Sequence, residues 1–199
     1  MVKINNGYLC DKNVNQIVEI KKQIILINTN STIDEYLNKI TLRYNKKYDK
    51  IPAYTIDSCG KIYQHYDPLF SSRIFNNDSL NKQAIVIALE NIGWLKYDKE
   101  TDTYRDWKGT QYHDKIIEIP WRTKKYWSEY SNEQLMSLID LIDYLCIGYS
   151  INKKFIGDNL FDKEISSFKG IINRSNINKN YYDLTPAFNF NELTKIINT

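Results

Sequence analysis

Ala84-Ile85-Val86-Ile87-Ala88-Leu89-Glu90 is apolar at odd and even positions alike until its closing carboxylate. A strand with one wet face alternates, and this one does not. It is predicted to be a central strand with both sides of its sheet covered. Gln23-Ile24-Ile25-Leu26-Ile27-Asn28 reads the same way. Directly after it, Thr32-Ile33-Asp34-Glu35 has the spacing of a capping box, and Ile33, Tyr36, Leu37 and Ile40 recur at helical intervals. Strand, tight turn and helix form the opening unit.

Between these runs, Pro52 to Asp57, Ser58-Cys59-Gly60 and Lys61 to Gln64 read as a hairpin, with Asp57 and Gly60 supplying the turn. The aromatic and charged stretch from Gly93 to Tyr130 is read as mostly loop with short strands. It holds Trp94, Trp107, Trp121 and Trp127. Ser131-Asn132-Glu133-Gln134 is a second capping box, opening a helix whose inner face carries Leu135, Leu138, Ile139, Ile142 and Cys146. Asn189 is placed to cap a closing helix over Asn191–Ile197, with Leu193, Ile196 and Ile197 inward. No repeat or long linker divides the chain. The expectation is one α/β domain over residues 1–199, with a single mixed central sheet flanked by helices.

Composition narrows the classes. With 199 residues, 42% apolar and 26% charged, the chain can bury a core without staples. A net charge of +3 is spread thinly, and Arg43-Tyr44-Asn45-Lys46-Lys47-Tyr48 reads as a solvated helix end rather than a nucleic-acid face. Cys10, Cys59 and Cys146 are odd in number and form no CxxC pair, so reduced, mostly buried thiols are expected. No signal-like or membrane-length apolar run is present, which predicts synthesis in a bacterial cytoplasm and no membrane partner. Periodicity gives no function.

The ordered motifs do suggest one. Ala53-Tyr54-Thr55-Ile56-Asp57-Ser58-Cys59-Gly60-Lys61-Ile62-Tyr63-Gln64 is similar to "HYxIDxxGxIYQ", and Ile85 to Leu95 is similar to "SIGIELVNEGWL". Trp121-Arg122-Thr123-Lys124-Lys125-Tyr126-Trp127 with Tyr130 to Gln134 resembles "WRGKKYWEPYTxEQ", and Asp183 to Phe190 resembles "TDPxPAFNF". Together with the strand Ile24–Asn28, these resemble the type-2 N-acetylmuramoyl-L-alanine amidases over about residues 20–197. The resemblance implies a zinc held by two His and one Asp or Cys, with an open position for water. At the matching positions this chain has Asn28, Asp158 (with Asn173 as the alternative) and Asp183, and the hairpin's assisting positions are Pro52 and Ala53.

His65 and His113 fall outside the ligand positions, and the substrate-side His expected near Ser72-Arg73 is missing. Asn28, Asp158 and Asp183 read as a vestigial metal site, either hydrogen-bonded or weakly holding a hard cation. Glu90 reads as a strand-end acid paired to a base. The Trp and Tyr residues read as core or interface anchors, or as a sugar groove. Asp98, Glu100 and Asp102 read as a solvated loop. The functional expectation is a catalytically degenerate amidase-like domain without a cofactor. It would be a structural or docking component of a phage virion, with other assembly proteins as partners and peptidoglycan as a candidate ligand. The alternatives are a non-catalytic peptidoglycan-binding module and an active zinc amidase that cleaves the muramoyl–L-alanine bond.

Overall fold

The computed structural model describes residues 2–6, 11–158, 160–161 and 165–197, so Cys10 and Asn159 lie outside the described residues. Two sheets organise them. The larger contains β1 (Ile4–Asn5), β2 (Gln23–Asn28), β3 (Tyr54–Ile56), β4 (Ile62–Gln64), β5 (Ala84–Leu89) and β11 (Gly170–Asn173), in the order β1-β4-β3-β5-β2-β11. Strand β5 lies between β3 and β2, parallel to both, and β11 is parallel to β2 on its far side. Only β3–β4 is antiparallel in this sheet. Every residue of β2 and β5 is buried. The absence of alternation in the sequence is thus explained by cover on both faces, and the mixed central sheet is the one expected.

The helices are α1 (Ile33–Lys46), α2 (Asp78–Gln83), α3 (Asn132–Tyr149), α4 (Arg174–Ile177) and α5 (Phe190–Ile197). Tyr36, Leu37 and Ile40 of α1 and Leu135, Leu138, Ile139, Ile142 and Cys146 of α3 join the strands in one core. Asn189 caps α5 through Oδ1, which accepts from Glu192 N–H at 3.1 Å. Ser131 Oγ accepts from Gln134 N–H at 3.0 Å and starts α3. The reciprocal half of that box is not made. The fully buried Gln134 instead donates Nε2 to the carbonyls of Ile56 and Glu90, both at 3.0 Å.

The first capping box departs further from expectation. Glu35 reaches away from its helix to Lys108 Nζ at 2.5 Å, and the Ile33 N–H is taken by Glu90 Oε1 at 2.7 Å. A long-range carboxylate has replaced the local one at the positive end of α1. The hairpin turn is as read. Asp57 Oδ1 accepts from the Cys59 and Lys61 amides at 3.0 and 2.8 Å, and Gly60 has φ +79°.

The region from Gly93 to Tyr130 is more ordered than its sequence suggests. It forms an antiparallel sheet, β8-β7-β6-β10-β9, from β6 (Trp94–Asp98), β7 (Thr103–Arg105), β8 (Gln111–Tyr112), β9 (Ile116–Trp121) and β10 (Lys124–Ser128). Its strands are mostly half-exposed on both faces, so no hydrophobic alternation announces them. Rings do the packing: Tyr104 lies 5.0 Å from both Tyr97 and Tyr126, and Trp121 lies 5.6 Å from the fully buried Trp127.

Candidate functional site

In open α/β sheets, ligands bind beyond the carboxyl ends of the parallel strands. Here β2 ends at Asn28, β5 leads into Glu90, and β11 ends at Asn173. A cleft of about 600 Å³ opens beside these ends. Its walls come from Thr29–Ser31, one face of α1, Trp94, the Trp107–Lys108 turn, Arg174, and the Asn180–Asp183 loop. On α1 the lining residues Glu35, Lys39 and Arg43 stand four apart, which puts them on one face.

Asp183 anchors the floor. It is 2% exposed, pairs with the Arg174 guanidinium through Oδ2, and accepts on the same oxygen from the Asn28 backbone N–H at 3.1 Å. Burial pushes its carboxyl above the ordinary range, while Arg174 and the Asn28 amide pull it down. Asn28 is also occupied: its side-chain Oδ1 accepts from Tyr130 Oη at 2.8 Å, and Tyr130 Oη accepts from Thr185 N–H at 3.1 Å. Burial raises the Tyr130 phenol well above its usual value, so it stays a donor at neutral pH.

Asn28 and Asp183, expected together, are together. Asp158 is half-buried in the loop after Phe155–Ile156, whose backbone joins β11 at Ile171, and it is not among the cleft-lining residues. Asn173 is fully buried at the end of β11, in register with Leu26, and its N–H donates to Asn176 Oδ1 at 2.7 Å. Pro52 and Ala53 are buried beside β3; the Ala53 backbone is bonded to Val86 on one side and His65 on the other. His65 is fully buried with Nε2 2.8 Å from Thr55 Oγ1, whereas His113 is exposed. Ser72 and Arg73 line a separate polar cleft formed with Lys12–Asn15.

The zinc implied by the motifs can be tested against this chemistry. A catalytic zinc site wants three ligands, commonly imidazole nitrogens, and an open position. The candidates here are an amide oxygen held by a phenol, a carboxylate held by a guanidinium, and an aspartate that is not among the cleft-lining residues. They do not fit that ion. Among the described residues, no group of three or more His, Cys, Asp or Glu is arranged to hold a metal.

Contrary to the expectation from sequence, Glu90 forms no ion pair with a base among the described residues. Its two oxygens accept from Ile33 N–H and Ser58 N–H, both at 2.7 Å, clamping the start of α1 to the hairpin turn. The residue to which sequence reading gives no role is Arg174, the partner of Asp183. Arg122 is a second. It follows β9 with φ +53°, stacks on Trp121 at 4.2 Å and donates to the carbonyls of Lys179 and Tyr181. The antiparallel sheet thereby holds the loop that forms one cleft wall. Thr123 Oγ1 and Tyr182 Oη, 2.8 Å apart, add to that hold.

No protein-family model and no curated protein matches the chain. Solved structures do. The N-acetylmuramoyl-L-alanine amidase LysC from Clostridium intestinale URNW superposes with a TM-score of 0.58 at 14% identity, over 100% of this chain and 99% of that one. AmiD from E. coli, in complex with the substrate anhydro-N-acetylmuramic acid-L-Ala-D-gamma-Glu-L-Lys, gives 0.55 at 15% identity over 91% of this chain and 59% of that one. AmpDh3 from Pseudomonas aeruginosa, in complex with anhydromuramic pentapeptide, gives 0.54 at 14% identity over 98% and 66%. Likeness at this identity speaks for architecture, and the chain has the fold of the N-acetylmuramoyl-L-alanine amidases.

Proposed function

We propose that this chain is an amidase-fold domain that binds peptidoglycan fragments in its strand-end cleft without hydrolysing them. The observation that carries the reading is the commitment of Asp183 to Arg174 and to the Asn28 amide. A carboxylate that would ligate a metal instead holds a permanent internal cation, and the neighbouring strand end offers an amide where an imidazole is needed. Two of the solved neighbours hold muropeptides, which supports the ligand class. The cleft is open and lined by Trp94, Trp107, Tyr181 and Tyr182, rings suited to sugar and peptide faces. This puts wall binding ahead of docking.

The test uses the full-length protein and purified sacculi. Retention on sacculi, no release of stem peptides with added zinc, and no zinc in the metal-replete protein are expected. Stoichiometric zinc with zinc-dependent peptide release would overturn the reading. One observation favours docking in a larger assembly, such as a phage particle, as a second reading: Met136, Tyr144 and Ile147 on α3 are 52%, 50% and 83% exposed. Co-sedimentation with particles, lost on Ile147→Lys, separates that role from wall binding.

A further inference from the structure

The strand-end cleft has a counterpart at the amino ends of the same strands. Asp49 and Lys50 lead into β3, α2 leads into β5, and residues 12–15 precede β2. Two hollows of about 610 and 600 Å³ lie among them, and they share Asp49, Arg73, Asp78 and Asn81, which makes them one groove. Its floor is held by local hydrogen bonds. Asn15 and Ser71 exchange both main-chain bonds, at 2.8 and 3.1 Å, and Arg73 N–H donates to the Asp49 carbonyl at 3.0 Å. The buried Asn81 side chain accepts from Phe75 N–H at 2.9 Å and donates to the Phe75 carbonyl at 2.8 Å.

On this frame stand Lys12, Lys47, Lys50, Arg73 and Lys82, all exposed, against Asp49 and Asp78. The excess of three cations equals the net charge of the whole chain. Among the described residues no ion pair joins these cations to the groove's two carboxylates, and only Lys82 has an acidic partner, Glu19 at 3.9 Å. Cations left to solvent hold counterions, and a ligand with several anions releases them. The form of the groove selects that ligand. Lys12, Lys47 and Lys82 line the first hollow, Lys50 the second and Arg73 both, so the charges follow a path rather than surround a point. Single-stranded nucleic acid is held by rings on which its bases stack. The lining has one ring, Phe75, and it is 7% exposed. Duplex DNA is read by an element that projects into its grooves, whereas this surface is concave.

We propose that this groove docks a linear polyol phosphate, a polymer of phosphodiesters joined by small polyols and carrying no bases. Its repeated single charges match cations strung along a path, and its flexible, ring-free backbone matches a polar floor without exposed aromatic side chains. The groove is separate from the strand-end cleft, and the inference holds whether or not that cleft takes muropeptides. Lys47 and Arg73 are the contacts to remove, because both are exposed and neither side chain has an ion pair among the described residues.

Titration of the full chain with a fluorescent glycerol phosphate oligomer of about ten units, at about 50 and 200 mM salt, tests it. With all five cations on phosphates, affinity is expected to fall about a hundredfold between the two, on the coefficient for single-stranded polyanions. Lys47→Gln with Arg73→Gln should weaken binding at least about tenfold at the lower salt and reduce the salt effect to about twentyfold. Circular dichroism of the double variant should match that of the parent. An oligothymidylate with the same number of phosphates should bind no more tightly than the glycerol phosphate. No binding at the lower salt, an affinity indifferent to salt, or a folded double variant that binds like the parent would overturn the proposal. Tighter binding of the thymidylate would overturn it too, and would assign the groove to nucleic acid.

Discussion

Replacing Arg174 with Met tests the internal cation most directly. The substitution keeps much of the stem's packing against Tyr181, whose ring lies 4.6 Å from the guanidinium carbon, and removes the charge. Asp183 then keeps one backbone donor, Asn28 N–H, for a carboxylate only 2% exposed. Breaking one side of a buried pair costs about 3–5 kcal/mol because the remaining charge is stranded. Arg174 is partly open to the cleft, its side chain 18% exposed, so the lower end, about 3 kcal/mol at pH 7, is expected in urea unfolding. The sign with pH follows. In the variant the folded-state carboxyl is raised further above its unfolded value, so protonation favours the folded state. The deficit is largest at neutral pH and shrinks as pH falls towards the unfolded carboxyl value. Adding Asp183→Asn should recover most of the loss at pH 7 and abolish this pH dependence. A loss below about 1 kcal/mol, or one that is the same at pH 7 and pH 5, would refute the claim that Arg174 neutralises Asp183.

Gly60 has φ +79°, and a Cβ there would lie 2.7 Å from both the Glu133 carbonyl oxygen and Ser137 Oγ; Gly60→Ala should cost at least about 2 kcal/mol by thermal or urea unfolding. Lys21 is 4% exposed, and burial lowers its ammonium to about 8 while Nζ donates to the carbonyls of Phe70 and Lys82, both at 2.7 Å. Between about pH 8 and pH 10.5 the unfolded chain binds more protons, so stability should rise with pH across that window. Lys21→Met should flatten that rise. Burial pushes the Cys146 thiol up to about 11, so a thiol reagent at pH 8 should label exposed Cys59 quickly and Cys146 only after unfolding, as peptide mapping would show.

Much of the frame is legible because its determinants are local. Ser131 and Asn189 cap the helices they precede in the sequence, and the runs at 23–28 and 84–89 are buried on both faces as their composition requires. The misses share a cause. Thr32 and Glu35 have the spacing of a capping box, but Lys108 competes for Glu35 and Glu90 supplies the helix start from 57 residues away. The five-stranded sheet is held by ring contacts among Tyr97, Tyr104 and Tyr126 rather than by an apolar face, so period-two patterning is silent there. Strand β11 is only Gly170–Asn173, too short for periodicity, and earns its place by pairing with β2. At the site, the asparagine at position 28, where the motif resemblance implies an imidazole, is plain from sequence. The arginine that answers Asp183 is not, because nothing in a primary sequence says which of many cations will meet a given carboxylate.

Glu90 changes how relatives of this chain should be compared. Its carboxylate joins two elements through main-chain donors, while Gln134 ties the start of α3 to the same strand ends. Selection for folding alone would therefore keep an acid at this position in lineages with no reaction to protect. Glutamine there would keep one acceptor oxygen and set an NH2 against the other backbone N–H. An invariant glutamate at the end of this strand is then a marker of architecture, and it cannot sort working hydrolases from silent ones.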